Sequence, residues 1–231
     1  MYDMPQATIQ PASHYESVLK ADNRELANTL KQEAFGLMRH LEGWCSDRKA
    51  GLLIDLILAK SPDVIVEIGV YGGKSLVPMA HALKANGKGV IYGIDPWSTT
   101  ASLEDVVNDS NRAYWGWIDH EAIMRTLIQR IGQFQLHDQI KLIRKTSANA
   151  DPIDGIDILH VDGNHSDSTS YLDVTKWVPM MKRGGWIIFD DMTWYENGTY
   201  TTARAVGWLD KNCIKVAEYT DDSVWGMWIK P

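Results

Sequence analysis

Residues 64–75 read Val-Ile-Val-Glu-Ile-Gly-Val-Tyr-Gly-Gly-Lys-Ser. The apolar run from Val64 to Ile68 suits a buried strand, and it breaks at Gly69. Gly72 and Gly73 follow, and then Leu76-Val77-x-x-Ala80-x-x-Leu83 has the spacing of a helix face. Glycines between a strand and a helix let a ligand press against the backbone, and the helix N-terminus adds free N–H groups. A second strand, Gly89 to Ile94, ends at Asp95, where a carboxylate can take both hydroxyls of a ribose. Together these segments describe a nucleoside-binding αβ unit. Its glycines fall as G-x-x-G-G rather than the G-x-G-x-x-G of dinucleotide sites, and Glu67 stands two residues before the first. That carboxylate would repel a pyrophosphate, while it suits a ligand carrying an ammonium and a sulfonium. A phosphate loop, G-x-x-x-x-G-K-[ST], would need glycine at position 68, where Ile68 stands.

The 231 residues suit one α/β domain with an additional segment. A net charge of −7 argues against a nucleic-acid partner, because phosphate binding relies on excess Lys and Arg. Cys45 and Cys213 lack metal-ligand spacing and read as reduced thiols of a cytoplasmic protein. Residues 1–11 lack the pattern of a signal peptide, and no apolar run approaches the length of a membrane span. Ten Trp against three Phe suggest aromatic surfaces that contact a ligand or partner.

Residues 1–48 divide into a polar arm (1–20, an arm or part of a lid) and helical cap, ahead of a domain over 49–231. The cap helix is read from Leu26, Leu30, Phe35, Leu37 and Leu41. A short helix over 49–60 leads into the first strand. An excursion over 97–138 carries Trp97, Trp115, Trp117 and a helix from Glu121 to Phe134. Strands follow over 141–144 and 156–161, then a helix from about Ser168 to Met181. Gly184-Gly185 turns into a fifth strand, 186–189. The tail reads as a helix (202–212), a strand (215–219), an exposed turn at Asp221-Asp222 and a last strand (224–230). Alternating strands and helices with a terminal hairpin give a mostly parallel sheet with one antiparallel member. The cap helices are expected to offer a surface for homo-oligomers.

His160-Val161-Asp162-Gly163-Asn164-His165 closes the fourth strand and Phe189-Asp190-Asp191 the fifth. On neighbouring strands, Asp162, Asp190 and Asp191 converge, and unpaired they raise one another's pKa. A hard cation such as Mg²⁺ resolves that conflict and leaves positions for substrate oxygens. It would lower the pKa of a bound diol or phenol hydroxyl, and His165 could remove the proton. Each residue also has a plainer reading. Asp190-Asp191 suit a loop cap, His165 a helix start, His160 a buried imidazole, and Ser147 a loop. Trp97 could stack on a ligand or anchor its loop to the core. Trp194 and Tyr195 sit where an acceptor-pocket wall would be.

Val66-Glu67-Ile68-Gly69-x-x-x-Gly73-Lys74-Ser75, followed by Gly93-Ile94-Asp95-Pro96-Trp97, resembles the S-adenosylmethionine site of class I methyltransferases, a resemblance covering about residues 50–230. It implies a Rossmann-like α/β fold, with a seven-stranded sheet and an antiparallel last strand. It also implies Glu67, Gly69, Gly73, Ser75, Asp95, Trp97, Ser147 and Asp162 as the cofactor site. Asp162-x-x-His165 with Asp190-Asp191 resembles metal-dependent O-methyltransferases acting on sugars of macrolide and aminocoumarin natural products, with catechol O-methyltransferases more distant. That likeness implies Asp162, Asp190 and Asp191 as ligands of Mg²⁺ or a similar cation, His165 as the base, and a small hydroxylated acceptor. Some members carry Glu-Asp at 190–191 or Asp at 164. A branch linked to cephalosporin hydroxylation shares the architecture, so an iron-dependent hydroxylase and a non-catalytic nucleoside-binding module stand as alternatives. The iron reading wants a second His that the cluster does not obviously supply.

Overall fold

A computed structural model describes residues 21–105, 108–221 and 223–231. The expected arm, 1–20, and Asp222 of the turn lie outside the described residues. Two helices, α1 (Ala21–Met38) and α2 (Asp47–Lys60), come first. The αβ unit follows as β1 (Val64–Ile68), α3 (Leu76–Asn86) and β2 (Val90–Ile94). Next come α4 (Thr99–Ser102), α5 (Asp109–Trp117), α6 (His120–Gln133), β3 (Ile140–Ile143), β4 (Ile156–Val161) and α7 (Asp167–Trp177). The chain ends with β5 (Met181–Phe189), a small hairpin of β6 (Tyr195–Glu196) and β7 (Thr199–Tyr200), α8 (Ala203–Asn212), β8 (Ile214–Thr220) and β9 (Val224–Ile229).

Seven strands form one sheet in the order β3-β2-β1-β4-β5-β9-β8, with β1 to β5 parallel and β9 antiparallel to both its neighbours. Strand order reverses between β1 and β4, and the crevice beyond their carboxyl ends is where such sheets take ligands. β5 begins five residues earlier than the sequence pattern suggests: Met181 pairs with Ile156, and a register shift absorbs the glycines at 184–185.

The alternation of β side chains decides what each face carries. Val66, Ile68, Leu159, Val161, Ile187 and Phe189 pack in one apolar layer with Val174 and Trp177 of α7. Ile65, Ile158, Trp186 and Ile188 pack on the other with α2 and α3. On that second face the register places Glu67 opposite His160 and His160 opposite Ile188. Asp190, two residues beyond Ile188, continues the same parity. Buried polar groups therefore replace the apolar core just below the crevice.

The tryptophans serve the interior more than expected. Trp177, Trp225 and Trp228 are among the largest fully buried side chains, and Trp97 and Trp186 are also buried. Among the described residues no helix is long and apolar enough to cross a membrane.

Candidate active site

A cavity of about 700 Å³ opens over the carboxyl ends of the strands. Its wall includes Gly69, Tyr71, Ser75, Asp95, Ser147, Asp162, His165, Asp190 and Asp191. Glu67, Gly73 and Trp97 lie behind that wall.

The nucleoside side is built from backbone. Gly69, at φ +86°, passes so close to the end of β4 that a Cβ there would fall 2.0 Å from the Asp162 carbonyl oxygen. Gly73, at φ +83°, accommodates Leu127 of α6, whose methyl would lie 2.5 Å from a Cβ. These glycines thus serve the packing of the loop as well as access to it. Asp95 accepts from the N–H groups of Tyr71 (2.9 Å) and Trp97 (2.7 Å), lacing the loop after β2 to the glycine loop. Burial raises its pKa, and those N–H groups oppose the shift. Trp97 adopts φ +42° and its indole N–H donates to the Tyr71 carbonyl at 2.8 Å. It therefore serves as the loop anchor, the plainer of its two readings. Ser147 lies in a segment clamped by Lys176, whose Nζ donates to the carbonyls of Ser147, Ala148 and Ala150.

The other side is built from charge. Asp162 stands within 4.8 Å of ligand atoms of His165 and Asp191, and likewise of His160 and Asp190. His165 Nε2 lies 3.0 Å from Asp191 Oδ2, and its ring lies 4.6 Å from that of Trp194. Thr201 and Thr202 donate to the carbonyls of His165 and Asp191, so the segment after β7 braces both. Asp191 holds φ +50°, a strained conformation for a non-glycine residue.

Beneath them runs a buried chain of polar contacts. Ser75 donates to Glu67 Oε1, which lies 2.8 Å from His160 Nδ1. His160 Nε2 lies 2.8 Å from Asp190 Oδ2, and Lys49 of α2 pairs with that same oxygen. Burial and repulsion from Asp190 and Asp191 drive the Asp162 carboxyl well above the usual range, with Lys49 opposing. Burial acts on Asp190 in the same direction, but Lys49 and His160 outweigh it and hold Asp190 well below that range. Asp190 Oδ1 and Glu67 Oε2 are buried without a partner.

Lys49 escapes the sequence reading, although a signal exists. It shares the buried stripe of α2 with Ala50, Leu53, Ile54 and Ile57, and a lysine at an apolar position of an amphipathic helix calls for a buried partner. Asp221 is also a correction: it is no free turn residue. Its carboxylate accepts from Ser46 at 2.5 Å and from the Trp225 indole at 2.7 Å, tying the β8–β9 turn to the start of α2. Cys45 lines the cavity, and burial pushes its thiol up to about 12. Both cysteines are free.

The part of the cavity wall around Trp44 and Tyr114 is aromatic. Trp44 stacks on Tyr71 at 5.4 Å, and Trp115 meets Trp44, Tyr71 and Tyr114 edge-on.

Fold and site together define the class I S-adenosylmethionine-dependent methyltransferases. A family model described as a methyltransferase domain matches residues 66–192, more than half of the chain, and the chain belongs to that family. An uncharacterized protein, R132, of Acanthamoeba polyphaga mimivirus is 27% identical over 165 residues, which is 71% of this chain. The match spans 65% of that protein's length. Among solved structures, the O-methyltransferase TomG from Streptomyces achromogenes, in complex with SAM, superposes with a TM-score of 0.61 at 15% identity over 94% of each chain. The O-methyltransferase from Bacillus cereus, in complex with SAH, gives 0.60 at 14% identity over 95% of this chain and 96% of its own. At such identities the likeness is one of fold.

Proposed function

We propose that the protein transfers the methyl group of S-adenosylmethionine to a hydroxyl of a small molecule, a sugar or phenol of secondary metabolism, with the help of a divalent cation. The observation that carries this reading is one cavity holding both a nucleoside crevice, ending at Asp95, and a carboxylate cluster at the ends of β4 and β5.

The donor set fits a hard cation: three carboxylates, one whose pKa burial and its neighbours push upward and one with a buried oxygen lacking a partner. Asp162, Asp190 and Asp191 would hold it, and when bound it supplies a positive charge that lowers the pKa of an acceptor hydroxyl. Asp95 binds the ribose, Ser147 lines the adenine side, and Ser75 and Glu67 brace the loop beneath the methionine end. His165 takes the proton of the acceptor, with Asp191 on its Nε2 and Trp194 against its ring fixing the imidazole. Trp44 and Tyr114 flank the acceptor, offering flat faces to a sugar or an aromatic ring. An iron site of two histidines and one carboxylate suits the geometry less well. His160 is fully buried, and both its nitrogens lie against Glu67 and Asp190.

The test is calorimetry followed by turnover. S-adenosylhomocysteine should bind and NAD should not. Labelled methyl from S-adenosylmethionine should then pass to members of a panel of glycosylated and phenolic compounds, and transfer should stop in excess EDTA. Tight NAD binding without S-adenosylhomocysteine binding would overturn the cofactor assignment, and full turnover in EDTA the cation.

A further inference from the structure

Lys49 belongs to no strand end and to no part of the nucleoside crevice, yet its ammonium enters the carboxylate cluster. Its side chain is 6% exposed, its Nζ pairs with Asp190 Oδ2 and lies 3.0 Å from His160 Nε2, and the Trp225 ring centroid is 5.7 Å away. Ser46 caps the helix one turn earlier, and its hydroxyl is held by Asp221, so two contacts fix where α2 begins and where Lys49 points. Asp190 is thus divided: one oxygen carries the ammonium, and the other, Oδ1, is buried without a partner.

We propose that Lys49 is a resident cation of the cluster that shares Asp190 with a divalent ion and sets how tightly the site holds that ion. The proposal rests on the reading of Asp162, Asp190 and Asp191 as a cation site. A divalent ion held by Asp190 and the ammonium already on its Oδ2 would repel each other across the width of that carboxylate, in surroundings less screening than water. The pairing also gives the Asp190 carboxylate a counter-charge of its own. Lys49 is a positioning residue here, acting through Asp190.

The experiment is Mn²⁺ titration, by calorimetry and by electron paramagnetic resonance, of the full chain and its Lys49→Met and Lys49→Gln variants, with S-adenosylhomocysteine affinity measured on the same samples. Removing the charge should tighten Mn²⁺ binding by roughly tenfold or more. The variants should also be less stable than the wild type in EDTA and gain more thermal stability from a given Mn²⁺ concentration than the wild type does. The glutamine amide can still donate to Asp190, so that variant stays informative if the methionine variant fails to fold. Unchanged or weaker Mn²⁺ affinity in the variants, with the wild type binding Mn²⁺, would overturn the role of Lys49 and leave the metal site standing. Absence of Mn²⁺ binding in all three proteins would overturn both, while retained S-adenosylhomocysteine binding would keep the methyltransferase reading intact.

Discussion

The two halves of the cavity are made in different ways. On the β1–β2 side the ligand surface is backbone: a glycine loop, the N-terminus of α3, and a carboxylate, Asp95, held by two N–H groups. On the β4–β5 side it is charge: three carboxylates, an imidazole, and an ammonium delivered from α2. The first half is local, each group lying within a few residues of its strand end. The second depends on which strands are neighbours and on the packing of α2 across them. A cofactor common to a whole fold class can be held by backbone, whereas chemistry and acceptor choice reside in side chains brought from a distance.

That division can be broken by substitutions that should act on one half alone. The largest effect is expected at His165. His165→Ala should lower turnover by roughly 10²–10⁴-fold, with metal and S-adenosylhomocysteine binding retained and the rising limb of the pH–rate profile removed or moved. Wild-type turnover with the same limb would make His165 a structural residue.

A second effect concerns stability. Asp173 of α7 is fully buried, with the Ser147 side chain beside its carboxyl. Burial pushes its carboxyl up to about 7, with Ser147 opposing. Its unfolded pKa is near the ordinary carboxylate value, so stability is fully present below about pH 4 and is lost as pH rises toward about 7. Asp173→Asn should therefore be more stable than the wild type at pH 8, by up to about 4 kcal/mol, with the advantage shrinking as pH falls to 4. Denaturant unfolding at the two pH values measures this. An equal difference at both would mean that Asp173 does not change its protonation on folding.

The smallest effect is the sharpest test of the nucleoside half. Asp95→Ala should weaken S-adenosylhomocysteine by about 1.5–3 kcal/mol, roughly 10–150-fold, through lost charge-assisted hydrogen bonds. Mn²⁺ affinity should stay unchanged. Equal losses of both ligands would erase the distinction between the halves.

Much of the nucleoside half is legible in the sequence, because strand, loop and helix are contiguous there. β1, α3, β2 and Asp95 stand where the pattern of residues 64–95 puts them. The residues Asp162, His165, Asp190 and Asp191 are legible as strand-end side chains, and the structure brings them to one wall. What the chain hides is set by cross-strand register and tertiary packing. Glu67 looks ligand-facing from its place beside Gly69, but β1–β4 register turns it toward His160 beneath the loop. For Trp97 the sequence leaves stacking and loop anchoring open, and its left-handed backbone and its bond to the Tyr71 carbonyl come only with the structure. The short elements α4, α5 and the β6–β7 hairpin carry too few residues to show a period. Lys49 is hidden for a different reason: its partner, Asp190, lies 141 residues away in sequence.

One titration tests the division most directly: S-adenosylhomocysteine and Mn²⁺, each measured by calorimetry on the wild type and on Asp191→Ala. Separate halves predict that the variant loses Mn²⁺ binding while its S-adenosylhomocysteine affinity changes by no more than about twofold, as for independent sites. A fall in S-adenosylhomocysteine affinity of the size expected for Asp95→Ala, or full retention of Mn²⁺ binding, would contradict it.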